Sequence, residues 1–329
     1  MTQLTRRHLL AGAGAATVAP LAAPMLAEAA APPIGKQAPG FYRYKVGSFE
    51  VTVVTDGANV NPLRDNYVAN APKEEVNAAI TAEYLPADKA SQSYTPIVVN
   101  TGTKLVAIDT GLGLGLYAQS KGQVGQYHTN LAAAGIDAKA VDVVIISHFH
   151  GDHINGLLGP DNKLAFANAE VMVPSVEWKY WMDEGNMSRA PEALKGGFNN
   201  VRRVFGALGD KVTQYEAGKE LVPGITSVAT YGHTPGHVSH LVASGSDRVM
   251  VQADVSAGMA ILFVRNPGWH FGSDMDRPMA EQTRRKFHDM VVAEKMLVQG
   301  FHFRFPGVGY IEKAGNGYRV VPAPWNPTI

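Results

Sequence analysis

The chain has 329 residues, with 29 basic side chains against 29 acidic ones and no cysteine. The missing cysteine excludes disulfides, iron–sulfur clusters and thiolate zinc sites, and the zero net charge leaves no footprint for a nucleic-acid or anionic-membrane partner. With 46% of its residues apolar, the chain can bury a sizeable core, as one large α/β domain or two modest ones.

In chain order, Thr5-Arg6-Arg7-His8-Leu9-Leu10 resembles a twin-arginine export motif, an alanine-rich run follows, and Ala27-Glu28-Ala29 offers a small-x-small cleavage site. Residues 1–31 read as a leader and cleavage region, which predicts a periplasmic or secreted protein. The run is too short, and too broken by Pro20 and Pro24, to hold the mature form in a membrane. Residues 32–40 read as a linker and 41–329 as the folded domain. Phe49–Val53 alternates apolar and polar residues as a half-buried strand, and Lys73–Tyr84 looks helical. Ile97–Asn100 and Lys104–Asp109 read as a hairpin around Thr101-Gly102-Thr103, and a helix is expected over Val124–Ala134, stopped by Gly135. Val141–Ile146 is a continuous apolar run, the mark of a strand covered on both faces. Val171–Pro174 is a short strand, after which Ser175 can cap a helix carrying Trp178 and Trp181. Strands are expected at Ile225–Thr230, Val238–Ala243 and Arg248–Gln252, then a long helix over Pro278–Val298 closed by Gly300. Gly307–Lys313 and Tyr318–Val321 form a last hairpin. This order fits two sheets packed face to face with helices outside.

The chemistry concentrates in V-I-I-S-H-F-H-G-D-H-I at 144–154. Residues two apart in an extended segment point the same way, so His148 and His150 can reach one point. Asp152 and His153, beyond the turn that Gly151 permits, can face a second one. Four donors in six positions behind a buried strand are metal-site material, suited by imidazole to zinc, iron, nickel or copper and by carboxylate to manganese. The remaining candidates stand at the ends of later elements: His237 in T-P-G-H, Asp254 in V-Q-A-D and His302 in G-F-H-F.

Together, H-x-H-x-D-H at 148–153, the T-P-G-H histidine, the aspartate behind a hydrophobic strand and the late histidine resemble the metallo-β-lactamase superfamily. Within it, the stretches V-N-T-G-T-K-L-V-A-I-D-T-G at 99–111, Y-G-H-T-P-G-H at 231–237 and F-P-G-V-G-Y-I at 305–311 are similar to methyl parathion hydrolase and its lactonase-like relatives. The resemblance implies an αββα sandwich, an α/β (α+β) fold of two mixed sheets with helices on the outer faces. It implies two divalent metal ions, zinc first, with Mn2+, Co2+ or Fe2+ as alternatives. His148, His150 and His237 would hold one ion and Asp152, His153 and His302 the other, with Asp254 bridging. Asp254 and Asp152 would be the catalytic carboxylates, and the attacking group a hydroxide held between the metals. Asp109 and His233 would support the ligands from behind. Tyr117, Trp181, Phe198, Phe263, Trp269 and Phe271 are the candidate walls of a substrate pocket.

The expected activity is hydrolysis of a small-molecule phosphotriester, aryl ester or lactone. An acyl-homoserine-type lactonase or a β-lactamase-like hydrolase is the alternative, and a non-catalytic metal-binding protein the third reading. The resemblance further suggests a homodimer.

Overall fold

In this computed structural model the described residues are 34–35 and 37–329, so the expected leader at 1–31 lies outside them. Regular structure among the described residues begins at Phe41, and Pro39–Ile329 forms one compact unit.

Two seven-stranded sheets dominate that unit. The first orders its strands as Phe41–Val46, Phe49–Val54, Ile97–Asn100, Leu105–Ile108, Val143–Ile145, Glu170–Pro174 and Val212–Tyr215, antiparallel up to Leu105–Ile108 and parallel beyond it. The second runs Glu220–Val222, Ile225–Ala229, Val238–Ser244, Asp247–Ala253, Leu297–Gly300, Val308–Ala314 and Gly317–Pro322. Its single parallel pair joins Asp247–Ala253 to Leu297–Gly300. Val51, Val53, Ile97, Val99, Val106, Ile108, Val143 and Ile145 meet Ile225, Val238, Val242, Val249 and Val251 in the layer between the sheets. The alternate residues Val54, Val98, Ala107 and Val144 pack outward against Leu131 of the helix Tyr127–Ala133 and Phe198, Val201 and Phe205 of the helix Glu192–Leu208. Both faces of the first sheet are therefore dry, which explains its unbroken apolar runs. On the far side, Met250 and Val298 pack against Phe287 and Val291 of the helix Arg277–Ala293. The expected sandwich is the observed one.

Local departures have physical reasons. The predicted helix Pro278–Val298 ends at Ala293; Lys295 takes a positive φ of 46°, and Leu297–Gly300 is a strand with Val298 fully buried. The helix expected from Val124 starts at Tyr127, because Val124 bridges Gly57 and the buried Asp56 carboxylate accepts the amides of Gly125 and Tyr127. Ser175 does not cap: it is the first helical residue, and its hydroxyl donates to Glu216. Helix Glu192–Leu208 was not expected, although Phe198, Val201, Phe205 and Leu208 recur at helical spacing.

A smaller apolar cluster joins the segment 63–80 to 257–271 through Leu63, Val68, Ile80, Leu262, Phe263 and Phe271. Val68 bridges Phe271, and the Gly272 amide donates to the Tyr67 carbonyl at 3.0 Å. This attachment raises a wall over the ends of the two sheets.

Candidate metal centre

The polar side chains collect where strands of both sheets end. Asp109 follows Leu105–Ile108, the 146–154 loop follows Val143–Ile145, and the 230–237 loop follows Ile225–Ala229. Asp254 follows Asp247–Ala253, and His302 follows Leu297–Gly300. His150 is still extended (φ −69°, ψ 152°), and Gly151–Ile154 then turns helical. That switch aims His148 and His150 one way, Asp152 and His153 another. Asp109 (φ 59°) and Ala253 (φ 48°) sit in the left-handed region, a strain on the order of 1 kcal/mol each that the surrounding packing holds in place.

Two groups of donor atoms result. His148, His150, His233 and Asp254 form the first, Asp152, His153 and His302 the second, each with its atoms within 4.8 Å of one another. Asp254 faces both: Oδ2 lies 3.2 Å from His233 Nε2 and 3.2 Å from His302 Nε2, and Oδ1 lies 3.2 Å from His153 Nε2. Asp152 Oδ2 stands 3.4 Å from His302 Nε2 and 3.6 Å from His153 Nε2.

The ring tautomers follow from the partners outside each group. His302 Nδ1 donates to the Ser93 carbonyl at 2.8 Å, His153 Nδ1 to Asp109 at 2.8 Å and His233 Nδ1 to Asp274 at 2.8 Å. Each therefore points an Nε2 lone pair inward. In the first group His150 Nδ1 lies 3.0 Å from His233 Nε2 and 3.1 Å from His148 Nε2. His153 Nε2 and Asp254 Oδ1 are buried without a hydrogen-bond partner. Buried lone pairs converging at such distances repel unless a proton or a cation lies among them. The nitrogen and carboxylate donors, three or four on each side of a shared Asp254, fit two divalent metal ions.

With no cation among them, the carboxylates favour a proton on two of these inward-facing rings. Burial, then the neighbouring His153, hold His148 well below the ordinary histidine value; burial and His233 do the same to His150. Burial also opposes protonation of His233, yet Asp254 and Asp274 outweigh it and push that ring up to about 9. His153 rises well above its usual value against burial because of Asp109, Asp254 and Asp152. Asp254 is held well below the carboxylate range by His302 and His153, again against burial. A cation entering the first group displaces a proton from His233, so metal affinity weakens toward low pH.

Three buried groups brace the ligands. Asp109, which also accepts the amide and hydroxyl of Ser147, orients His153. Asp274 orients His233 and is paired at 3.1 Å with Arg284, whose remaining donors go to the carbonyls of Val255, Pro267 and Trp269. The Glu177 carboxylate accepts the amides of Phe149 and Gly236 and the Trp181 indole, tying the 146–154 loop to the 230–237 loop. At Gly236 any Cβ would stand 2.4 Å from the Glu177 amide nitrogen, so only glycine lets the two segments meet. Asp274, Arg284 and Glu177 were not expected. Arg284 left a signal, as a cation on the apolar stripe Ala280, Arg284, Phe287, Val291 of its helix.

Two expectations are corrected. His237, expected as a ligand, is outside both groups: Nδ1 donates to the Thr230 carbonyl at 3.0 Å, and Nε2 accepts the Asp254 amide at 3.0 Å. Burial and His233 hold it down at about 3, neutral and fully engaged. His233, expected behind the ligands, takes the place among them. His233→Gln is accordingly expected to lose about one metal per chain, whereas His237→Gln keeps both and lowers the melting temperature; elemental analysis with the opposite order would reverse the assignment.

The pocket aromatics are the second correction. A cavity of about 780 Å³ opens onto His150, Asp152, His233, Asp254 and His302, walled by Tyr67, Tyr180, Leu194, Phe271 and Met275. Of the expected aromatics Phe271 lines it, Phe263 packs in the cluster under the 63–80 segment, and none of Tyr117, Trp181, Phe198 and Trp269 reaches it. Tyr117 stands half exposed on the short helix Gly115–Gln119. Trp181 is buried behind His150, with Phe198 packed on its ring. Trp269 belongs to the cluster under the 63–80 segment.

Comparison with known proteins adds to this geometry. The model of the metallo-beta-lactamase superfamily matches residues 92–294. An N-acyl homoserine lactonase from a Bacillus species is 27% identical over 212 residues, 62% of this chain and 74% of that protein. Among solved structures, AidC, a dizinc quorum-quenching lactonase in complex with a product, is similar with a TM-score of 0.80 and 25% identity over 87% of this chain and 98% of that one. AbOPH, a hydrolase in the beta lactamase superfamily, is similar with a TM-score of 0.80 and 25% identity over 88% of this chain and 100% of its own.

Proposed function

This chain belongs to the metallo-beta-lactamase superfamily, and from that premise we propose that it hydrolyses lactones and activated carboxylic esters with two zinc ions as its resident metals. The observation that carries the reading is the convergence of histidine nitrogens on both sides of Asp254 in a cavity walled by polar and apolar residues together. The lactonases among its relatives support the substrate class.

Two divalent cations, when bound, supply Lewis acidity toward the substrate carbonyl and an acidified water. His148, His150 and His233 would hold one and Asp152, His153 and His302 the other, with Asp254 serving both. Asp109 and Asp274 fix the tautomers that direct lone pairs inward. Tyr67, Phe271 and Leu194 offer apolar surface against which the acyl group can pack. Asp152, more exposed than Asp254 and facing the cavity, is positioned to take the proton released on attack and return it to the departing alkoxide. In a lactone that alkoxide stays tethered to the product, so one carboxylate serves both transfers.

Metal-loaded protein is expected to open an N-acyl homoserine lactone and cleave 4-nitrophenyl acetate, and chelation to abolish both. The same panel includes a paraoxon-type triester and nitrocefin. Triester turnover exceeding that of the lactone by about tenfold would move the reading to a phosphotriesterase. A blank panel at high enzyme concentration would overturn hydrolysis of these substrates altogether.

A further inference from the structure

Among the described residues the guanidinium groups are almost all engaged. Arg43, Arg202, Arg248, Arg265, Arg284, Arg285, Arg304 and Arg319 each reach a carboxylate, and Arg189 and Arg203 donate to asparagine side chains. Among the described residues only Arg64 and Arg277 reach neither; the one bond of Arg277 is a long 3.4 Å contact to the Gly272 carbonyl. Both line the cavity over the metal centre. The pairing of Tyr67 and Val68 with Gly272 and Phe271 lays their two segments side by side at its rim. Arg64 is exposed and Arg277 half-buried, while the donor atoms lie at the floor. The cavity's own carboxylates are spent: Asp152 and Asp254 face the histidines, and Asp274 holds Arg284.

Resting on the ester and lactone reading above, we infer that the substrate carries a carboxylate at the end remote from the scissile bond, received by Arg64 and Arg277. Guanidinium forks match the planar two-oxygen geometry of a carboxylate. Tyr67 and Phe271 cover the acyl chain between rim and floor. An interaction made at the rim is the same before and during bond cleavage, so it acts through KM and selects the substrate rather than accelerating the reaction.

The test compares mono(4-nitrophenyl) glutarate with its neutral counterpart, 4-nitrophenyl valerate, on the metal-loaded protein. The ratio of kcat/KM is expected to favour the glutarate. It should fall about tenfold in Arg64→Gln and in Arg277→Gln, mostly through KM, shrink in high salt and recover only in part in the lysine variants, which keep the charge but not the fork. Neither side chain is held by an ion pair, and melting temperature and metal content check that both variants stay folded and loaded. An unchanged ratio would show that the arginines are merely solvated and overturn the inference. If neither ester is cleaved, the proposed function fails, and calorimetric titration with glutarate still decides the anion site. Affinity lost in the double glutamine variant supports it; affinity equal in parent and variant places the anion on the metals, and no binding at all removes the site.

Discussion

Asp254→Ala is expected to empty both halves of the metal centre and to lower kcat/KM for any substrate of this protein by at least about a thousandfold, or about 4 kcal/mol. The reason is its position. Oδ1 approaches His153 Nε2 and Oδ2 approaches His233 and His302 Nε2, each at 3.2 Å. No other carboxylate in the two groups is shared between them. Without it, the rings of both groups face one another with one negative charge fewer to hold cations in place. Elemental analysis of dialysed protein measures the loss directly, and circular dichroism checks that the fold persists. Asp254→Asn keeps the shape while discarding the charge, and should also lose metal. Two metals per chain retained in either variant would show that the shared role is misassigned.

Arg284→Leu is expected to destabilise the protein by about 3–5 kcal/mol, the cost of breaking a buried ion pair from one side. Arg284 is 1% exposed and satisfies the Asp274 carboxylate together with three carbonyl oxygens. The substitution strands a charge and three acceptors in the interior. Asp274 then binds the proton on His233 Nδ1 more tightly, and the middle of the helix Arg277–Ala293 loses its tie to Val255, two residues beyond the strand Asp247–Ala253. Arg284→Lys restores the charge but not the fork, and should recover only part of the loss. Urea unfolding midpoints of the metal-loaded proteins measure the effect; a cost under about 1 kcal/mol would mean that solvent reaches the pair.

Much of this protein is written in local pattern. Phe49–Val53 alternates and Val143–Ile145 is apolar throughout because one or both faces of a sheet are covered, and the order of such elements along the chain fits two packed sheets with helices outside. His148, Asp152 and His153 are ligand candidates on spacing alone, since covalent neighbours on a short extended-then-helical turn must end near one another. Local pattern failed where the competition was remote. His233 and His237 stand in the same loop, Y-G-H-T-P-G-H. What separates them is that the Thr230 carbonyl and the Asp254 amide claim both nitrogens of His237, while Asp274 claims only the outer nitrogen of His233. Trp181 and Phe198 look like pocket walls in sequence but are drawn behind the ligands by Glu177 and the helix Glu192–Leu208. Phe271 does line the cavity as expected, but Tyr67 beside it, about two hundred residues earlier in the chain, left no local sign of that role. Sequence by itself determined which side of each element faces the core, because backbone periodicity is a local property. Only the tertiary structure decided which buried polar atom is free to bind a ligand, because each such atom has few partners and distant residues compete for them.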